Sequence, residues 1–171
     1  IPKRGLVGAD TASLFYRDKH GEKWRMPWGT GTYDSWYARY PQRVVREVAT
    51  ERSLLNLGGL FYELPRDISG GIQKIKPIAT HNKMIIDFCS WRGMLVLSGT
   101  KLSAEEDGHF VEDDRYNSGL WLGTIDDLWK FGKPTGMGGP WYNNQVKAGD
   151  WSDPYLMLGF DQKSLYLHHD G

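Results

Sequence analysis

Cysteine is nearly missing from this chain: Cys89 is the single one in 171 residues. One thiol closes no intrachain disulfide, and no Cys-x-x-Cys pair exists for a metal or redox centre. Cys89 follows Phe88 in an apolar run and reads as a packing residue. Long Ala/Leu/Glu/Lys stretches are also missing, which favours an all-β fold over a helical one. The apolar runs are too short to cross a bilayer as helices, and no signal peptide is visible. Charge of one sign is missing too, since 21 basic residues balance 21 acidic ones. No basic block appears, which argues against nucleic acid as the main partner. There is no phosphate-cradling Gly-rich loop with Lys-Ser/Thr, no His-Glu-x-x-His and no Gly-x-Ser-x-Gly.

Aromatics (13%) and 21 glycines are present in quantity. From Arg43 to Pro77 the chain reads VVREVAT, LLNL, Gly58-Gly59, LFYELP and GIQKIKP. Four short apolar runs between turn residues are the pattern of an antiparallel meander. The pattern recurs about forty residues on: Val44, Val45 and Glu47 fall on Met84, Ile85 and Asp87, and Leu55, Leu57 and Gly59 on Leu95, Leu97 and Gly99. An insertion from Thr100 to Ser118 follows, after which Leu60-Phe61 matches Leu120-Trp121. The fourth run closes with Ile75-Lys76-Pro77 in one copy and Gly132-Lys133-Pro134 in the other.

Partial copies flank these two. Ser13 to Tyr16 and Lys23 to Pro27 repeat the third and fourth runs, while Tyr155 to Phe160 and Ser164 to Leu167 repeat the first and second. A period of about forty to fifty residues with four strands per unit is that of propeller blades. The expected fold is all-β: residues 1–171 form one incomplete β-propeller arc of antiparallel four-stranded blades. Its parts are a partial blade at 13–27, blades at 43–77 and 83–134, and a partial blade at 154–168. About three blades do not close a ring, and open sheet edges invite pairing. The expected partners are the remainder of the same propeller or further copies of the chain. The Ile-Pro start and the stop just past a second-run strand favour a fragment.

With the first run innermost, the short turns around Asp18–Gly21, Glu51–Ser53, Trp91–Gly93 and Asp161–Lys163 fall on one end of the blades. The long segments Trp28–Gln42, Thr100–Ser118 and Thr135–Pro154 fall on the other, together with Gly58-Gly59 and Thr80-His81-Asn82. Long loops on a rigid scaffold collect binding groups, so the functional surface is expected there.

His81 leads into the innermost strand of its blade and is the first candidate for a catalytic acid–base group at a channel mouth, the alternative being a histidine that caps a turn by hydrogen bonding. Asn82 suits a ligand hydroxyl, although an Asn at such a position more often serves turn chemistry. Asp34, Trp36, Tyr37 and Arg39 share one loop that suits a sugar, with aromatic faces on its rings and the charged pair on hydroxyls or carboxylates; packing of the loop against its neighbours accounts for the aromatics equally. Trp141 and Trp151 are expected to form a second stacking wall, the alternative being that their loop covers the adjacent blade. The insertion run Glu105-Glu106-Asp107 with Glu112-Asp113-Asp114 offers oxygens for calcium. Its spacing fits no defined calcium loop, so a solvated acidic loop is preferred and no metal or cofactor is assigned. His109, Arg115 and Tyr116 from this insertion suit proton abstraction beside a neutralised carboxylate. Asp126-Asp127 reads as turn chemistry rather than a carboxylate pair.

The stretches REVATERSLLNLGGLFYELP, ATHNKMIIDFCSWRGMLVLSG and SGLWLGTIDDLWKFGKPTGMGGPW resemble secreted bacterial β-propeller proteins of polysaccharide-degrading systems, over about half the chain. The resemblance extends to propeller polysaccharide lyases and rhamnosidases, which use His, Tyr and Arg near the axis. It implies a secreted or periplasmic carbohydrate-active propeller, glycoside hydrolase or polysaccharide lyase, acting on a polysaccharide or oligosaccharide. The alternative is a non-catalytic glycan- or protein-binding propeller.

Overall fold

The computed structural model describes residues 6–17, 21–29, 44–48, 52–64, 74–81, 83, 85–100, 108–113, 115 and 118–170. Strands β1 (Leu6–Ala9), β2 (Leu14–Arg17) and β3 (Lys23–Met26) form the first sheet. β4 (Trp28–Gly29) follows, and then β5 (Val44–Val48), β6 (Arg52–Leu57), β7 (Leu60–Leu64) and β8 (Lys76–Thr80) make a second sheet in chain order. The third holds β9 (Ile85–Trp91), β10 (Met94–Thr100), β11 (Phe110–Asp113) and β12 (Ser118–Gly123), in the order β11-β12-β10-β9. A 3-10 helix, Ile125–Phe131, and β13 (Gly136–Met137), paired with β4, complete the elements. The fold is all-β with antiparallel sheets, and among the described residues no helix is long and apolar enough to cross a membrane.

Turn chemistry sets the tightest hairpins. Gly58 and Gly59 carry φ of 63° and 79°, and Arg92 and Gly93 carry 49° and 81°. Left-handed backbone at both central positions matches the twist of the flanking strands. Gly58-Gly59 also admits a neighbour: a Cβ at Gly29 would lie 2.3 Å from the Gly58 carbonyl oxygen, so β4 lies directly against this turn.

The second sheet is buried on both faces, which is why β6 and β7 read as continuous apolar runs rather than an alternation. Leu55, Leu57, Leu60 and Tyr62 pack with Leu14, Tyr16 and Met26 of the first sheet. Leu54, Phe61 and Ala79 pack with Phe88, Leu95, Leu97 and Trp121 of the third. Thus three sheets share two cores, and β5 approaches β9.

The third sheet departs from the sequence expectation in two ways. Gly132-Lys133-Pro134, expected to be its fourth strand, follows the 3-10 helix instead, and the outer position is taken by β11 from within the insertion. Asp127 explains the helix: its Oδ2 accepts from the Thr124 N–H and hydroxyl, both at 2.8 Å, closing the turn that a hairpin would have needed open. The copies are also out of step. Leu60 stands opposite Leu57, and Trp121 opposite Leu97, so Trp121 corresponds to Leu60 rather than to Phe61. A one-residue slip reverses the face of a strand; Phe61 accordingly faces the third sheet while Trp121 faces the second.

The first sheet has one strand more than expected, β1. The expected partial blade at 154–168 does not form. Tyr155 makes a parallel bridge to Arg25, Leu156 enters the first core, and residues 161–170 are exposed without strand pairing. An apolar run becomes a strand only beside a free edge, and the edge this segment meets is β3.

Candidate functional site

His81 lies at the end of β8, in the core rather than at an open channel mouth, with 2% of its surface exposed. Its backbone N–H donates to the Gly59 carbonyl at 2.8 Å. The Lys83 N–H donates to Nδ1 at 3.2 Å, so Nε2 carries the proton and donates to Asn56 Oδ1 at 2.8 Å. The ring packs against Phe61, 4.9 Å between centroids. Burial pushes the imidazole pKa down to about 3, and the positive charge of Lys83 acts in the same direction. A neutral, enclosed imidazole is suited to holding β8 against the Gly58-Gly59 hairpin, not to exchanging protons with a substrate.

That state has a measurable consequence. An unfolded histidine titrates near 6.5, so between about pH 6.5 and 3 the unfolded chain binds a proton that the folded chain refuses. Stability therefore rises with pH across this window, by about tenfold in the folding constant per pH unit, and is lost as pH falls. His81→Gln keeps a donor for Asn56 and removes the titration. Urea unfolding from pH 4.5 to 7 is expected to show a flatter stability profile for His81→Gln than for the parent chain.

The other expected site residues are dispersed. Asp34, Trp36, Tyr37, Arg39, Asn82 and Tyr116 lie outside the described residues. His109 is half-buried; its Nδ1–H donates to the Leu122 carbonyl at 2.7 Å and its ring packs on Trp121, so it pins the start of β11 to β12. Arg115 is exposed in a turn. Trp141 and Trp151 are exposed, Trp151 almost completely (97%). Among the described residues no three His, Cys, Asp or Glu side chains gather as metal ligands; the acidic run Glu105-Glu106-Asp107 lies outside them. Cys89, expected inside, is exposed. Two of the three long loops do begin together, where the β4–β13 ribbon meets the Gly58-Gly59 turn.

Two constellations escaped the sequence reading. The first is ionic. Arg25 is buried, and its guanidinium grips Asp10 with two hydrogen bonds, 2.9 and 3.0 Å, Asp153 with one at 2.8 Å, and the Ser13 hydroxyl at 3.0 Å. Lys23 reaches the same Asp10 at 3.1 Å. The Arg25 N–H donates to the Pro154 carbonyl and the Leu156 N–H to the Arg25 carbonyl, both at 2.8 Å, so this cluster seats residues 153–156 along β3.

The second is a cavity of about 550 Å³ between β6–β8 and the 3-10 helix. Arg52, Glu63, Lys76, Asp126 and Lys133 supply charge of both signs, and Trp129 supplies an aromatic face that is 65% exposed. Arg52 and Asp126 approach to 3.5 Å across it. The cavity opens at the end of the sheets expected to carry only short turns. Trp129 itself was the available signal: a tryptophan between Asp126-Asp127 and Lys130 cannot turn inward without taking its charged neighbours along. Comparisons with family models, curated proteins and solved structures return no match for this chain.

Proposed function

We propose that this chain is an arc of a β-propeller that binds a polysaccharide without cleaving it, as part of an exported glycan-handling protein. The observation that carries the proposal is the exposed Trp129 ring in the lining of the cavity, which Arg52, Lys76, Lys133, Glu63 and Asp126 line with charge of both signs. The apolar face of a pyranose stacks on such a ring, while charged side chains of both signs take hydroxyls as donors and acceptors. The propeller arrangement is supported by three sheets sharing cores on successive faces and by the approach of first strands β5 and β9. Binding is favoured over cleavage because the enclosed His81 is not placed to exchange a proton with a ligand.

Affinity electrophoresis through gels cast with neutral and uronate-containing polysaccharides tests the proposal. At least one polymer is expected to retard the chain, and Trp129→Ala is expected to weaken that retention about tenfold, on the order of 1.4 kcal/mol. No retardation by any polymer, or retention unchanged in Trp129→Ala, would refute it. Release of reducing ends or unsaturated products would restore the enzymatic alternative.

A further inference from the structure

The outer face of the third sheet carries an open apolar strip, with Asp87 opposite Ser98 beside it. Leu120 stands opposite Val111 on β11 and Ser98 on β10, and Val96 stands opposite both Leu122 and Cys89, so these side chains share one face. Val111 is 61% exposed, and Leu120 and Cys89 are exposed with it. In the second sheet the face turned toward its successor carries Leu54, Phe61 and Ala79 and is fully covered. The chain also presents a second uncovered apolar strip: Leu165, Tyr166 and Leu167 are all exposed, Tyr166 at 86%.

These two surfaces suit one another. At both sheet contacts the alternate leucines of a second-run strand pack onto the preceding sheet: Leu55 and Leu57 onto the first, Leu95 and Leu97 onto the second. Ser164-Leu165-Tyr166-Leu167 has the same spacing, with Leu165 and Leu167 as the alternate pair. The surface they would meet by that rule is the open face of the third sheet. Within one chain the segment is held elsewhere. Asp153 is gripped by Arg25, Leu156 lies in the core of the first two sheets, and Asp161 pairs with Lys133 at 2.8 Å.

We propose that residues 164–167 of one copy dock on the open face of the third sheet of a second copy, reciprocally, so that the chain is a two-fold dimer. A two-fold satisfies both surfaces in both copies at once and leaves no strip uncovered. Two leucines with the face they cover remove roughly 600 Å² per contact, and two contacts reach about 1,200 Å², the lower end of the range for a specific interface. Zero net charge adds no general repulsion between copies. The proposal is independent of what the cavity beside Trp129 binds.

Sedimentation velocity and light scattering of the 171-residue chain, from about 1 to 100 µM, test it. A species of twice 19.5 kDa is expected. Leu165→Asp with Leu167→Asp, and separately Val111→Lys, change exposed positions and are expected to give monomers with the parent's cooperative melting. Cys89 is the only thiol, so Leu165→Cys is expected to form an interchain disulfide on mild oxidation that Cys89→Ser abolishes. A monomer throughout that range overturns the proposal, as does a dimer indifferent to both sets of substitutions or a Leu165→Cys chain that crosslinks without Cys89.

Discussion

Arg25→Met is expected to destabilise the chain by roughly 3 kcal/mol and to release the segment from Asp153 to Leu156. Methionine keeps most of the buried stem and removes the guanidinium. Asp10 and Asp153 then share Lys23, which lies 3.1 Å from one and 3.7 Å from the other and offers a point charge instead of a planar fork. Removing one partner of a buried ionic cluster costs more than the cluster itself contributes, because the remaining charges keep their desolvation. Both carboxylates reach water, so the expected cost sits at the low end of that range. Urea unfolding should report the loss, with a fall in melting temperature of about 10 °C. Chymotrypsin should cut sooner near Tyr155, which bridges to Arg25 on β3. Arg25→Lys should fall between, since it restores charge without the two-pronged grip on Asp10.

The acid limb of stability carries the same signature. The Arg25 guanidinium holds the Asp10 carboxyl well below the usual carboxylate range, helped by the Ser13 and Ala12 N–H groups and by Lys23. A carboxylate depressed in the folded state contributes stability above about pH 3.8 that is lost as pH falls toward its folded pKa. In Arg25→Met that contribution shrinks, so the variant should lose less further stability on acidification below pH 3.8 than the parent does. The His81 window, from about pH 6.5 to 3, lies mostly above this, and the two contributions can be separated by scanning pH in the two single variants.

The middle of the chain was legible from sequence because each signal there is local. Gly58-Gly59 dictates a two-residue hairpin, the hairpin dictates the register of β6 and β7, and the register dictates which leucines face which neighbour. Among the described residues beyond Gly99 no two-residue hairpin joins consecutive strands. The insertion lets β12 return in another register, and the short FVED strand carries no alternation strong enough to announce itself. Gly132-Lys133-Pro134 looked like a closing run by analogy with Ile75-Lys76-Pro77, yet the Thr124–Asp127 cap had already turned the chain into a 3-10 helix. The candidate site was less legible still. Sequence separates a histidine at a strand end from a leucine, but not an enclosed imidazole from an open one. That depends on Asn56 and Phe61 arriving from two other strands. The Arg25 cluster joins residues 10, 25 and 153, which no spacing along the chain brings together.

Trp121 and Trp129 show how far that difference reaches, for the same substitution should act on them in opposite ways. Trp121→Ala is expected to cost about 4 kcal/mol, because a fully buried aromatic loses its transfer free energy and leaves a cavity. The ring has few ways to be replaced. It packs edge-on to Phe131 at 5.2 Å and against His109 at 5.3 Å, and it lies so close over Gly123 that a Cβ there would be 2.4 Å from it. Neighbours fixed on β11, on the 3-10 helix and on β12 itself cannot collapse together into the space. Against a total of about 5–15 kcal/mol for a domain, this is a large fraction of the whole. Trp121→Phe should cost less than half as much. Because β11 and the 3-10 helix both lean on this ring, amide exchange in Phe110–Asp113 should quicken in Trp121→Ala more than in β6 or β7. Trp129→Ala, by contrast, removes a ring that is mostly in water and should change stability by no more than about 0.5 kcal/mol. Equal destabilisation by the two substitutions in urea would mean that Trp121 is not the post on which the third sheet closes.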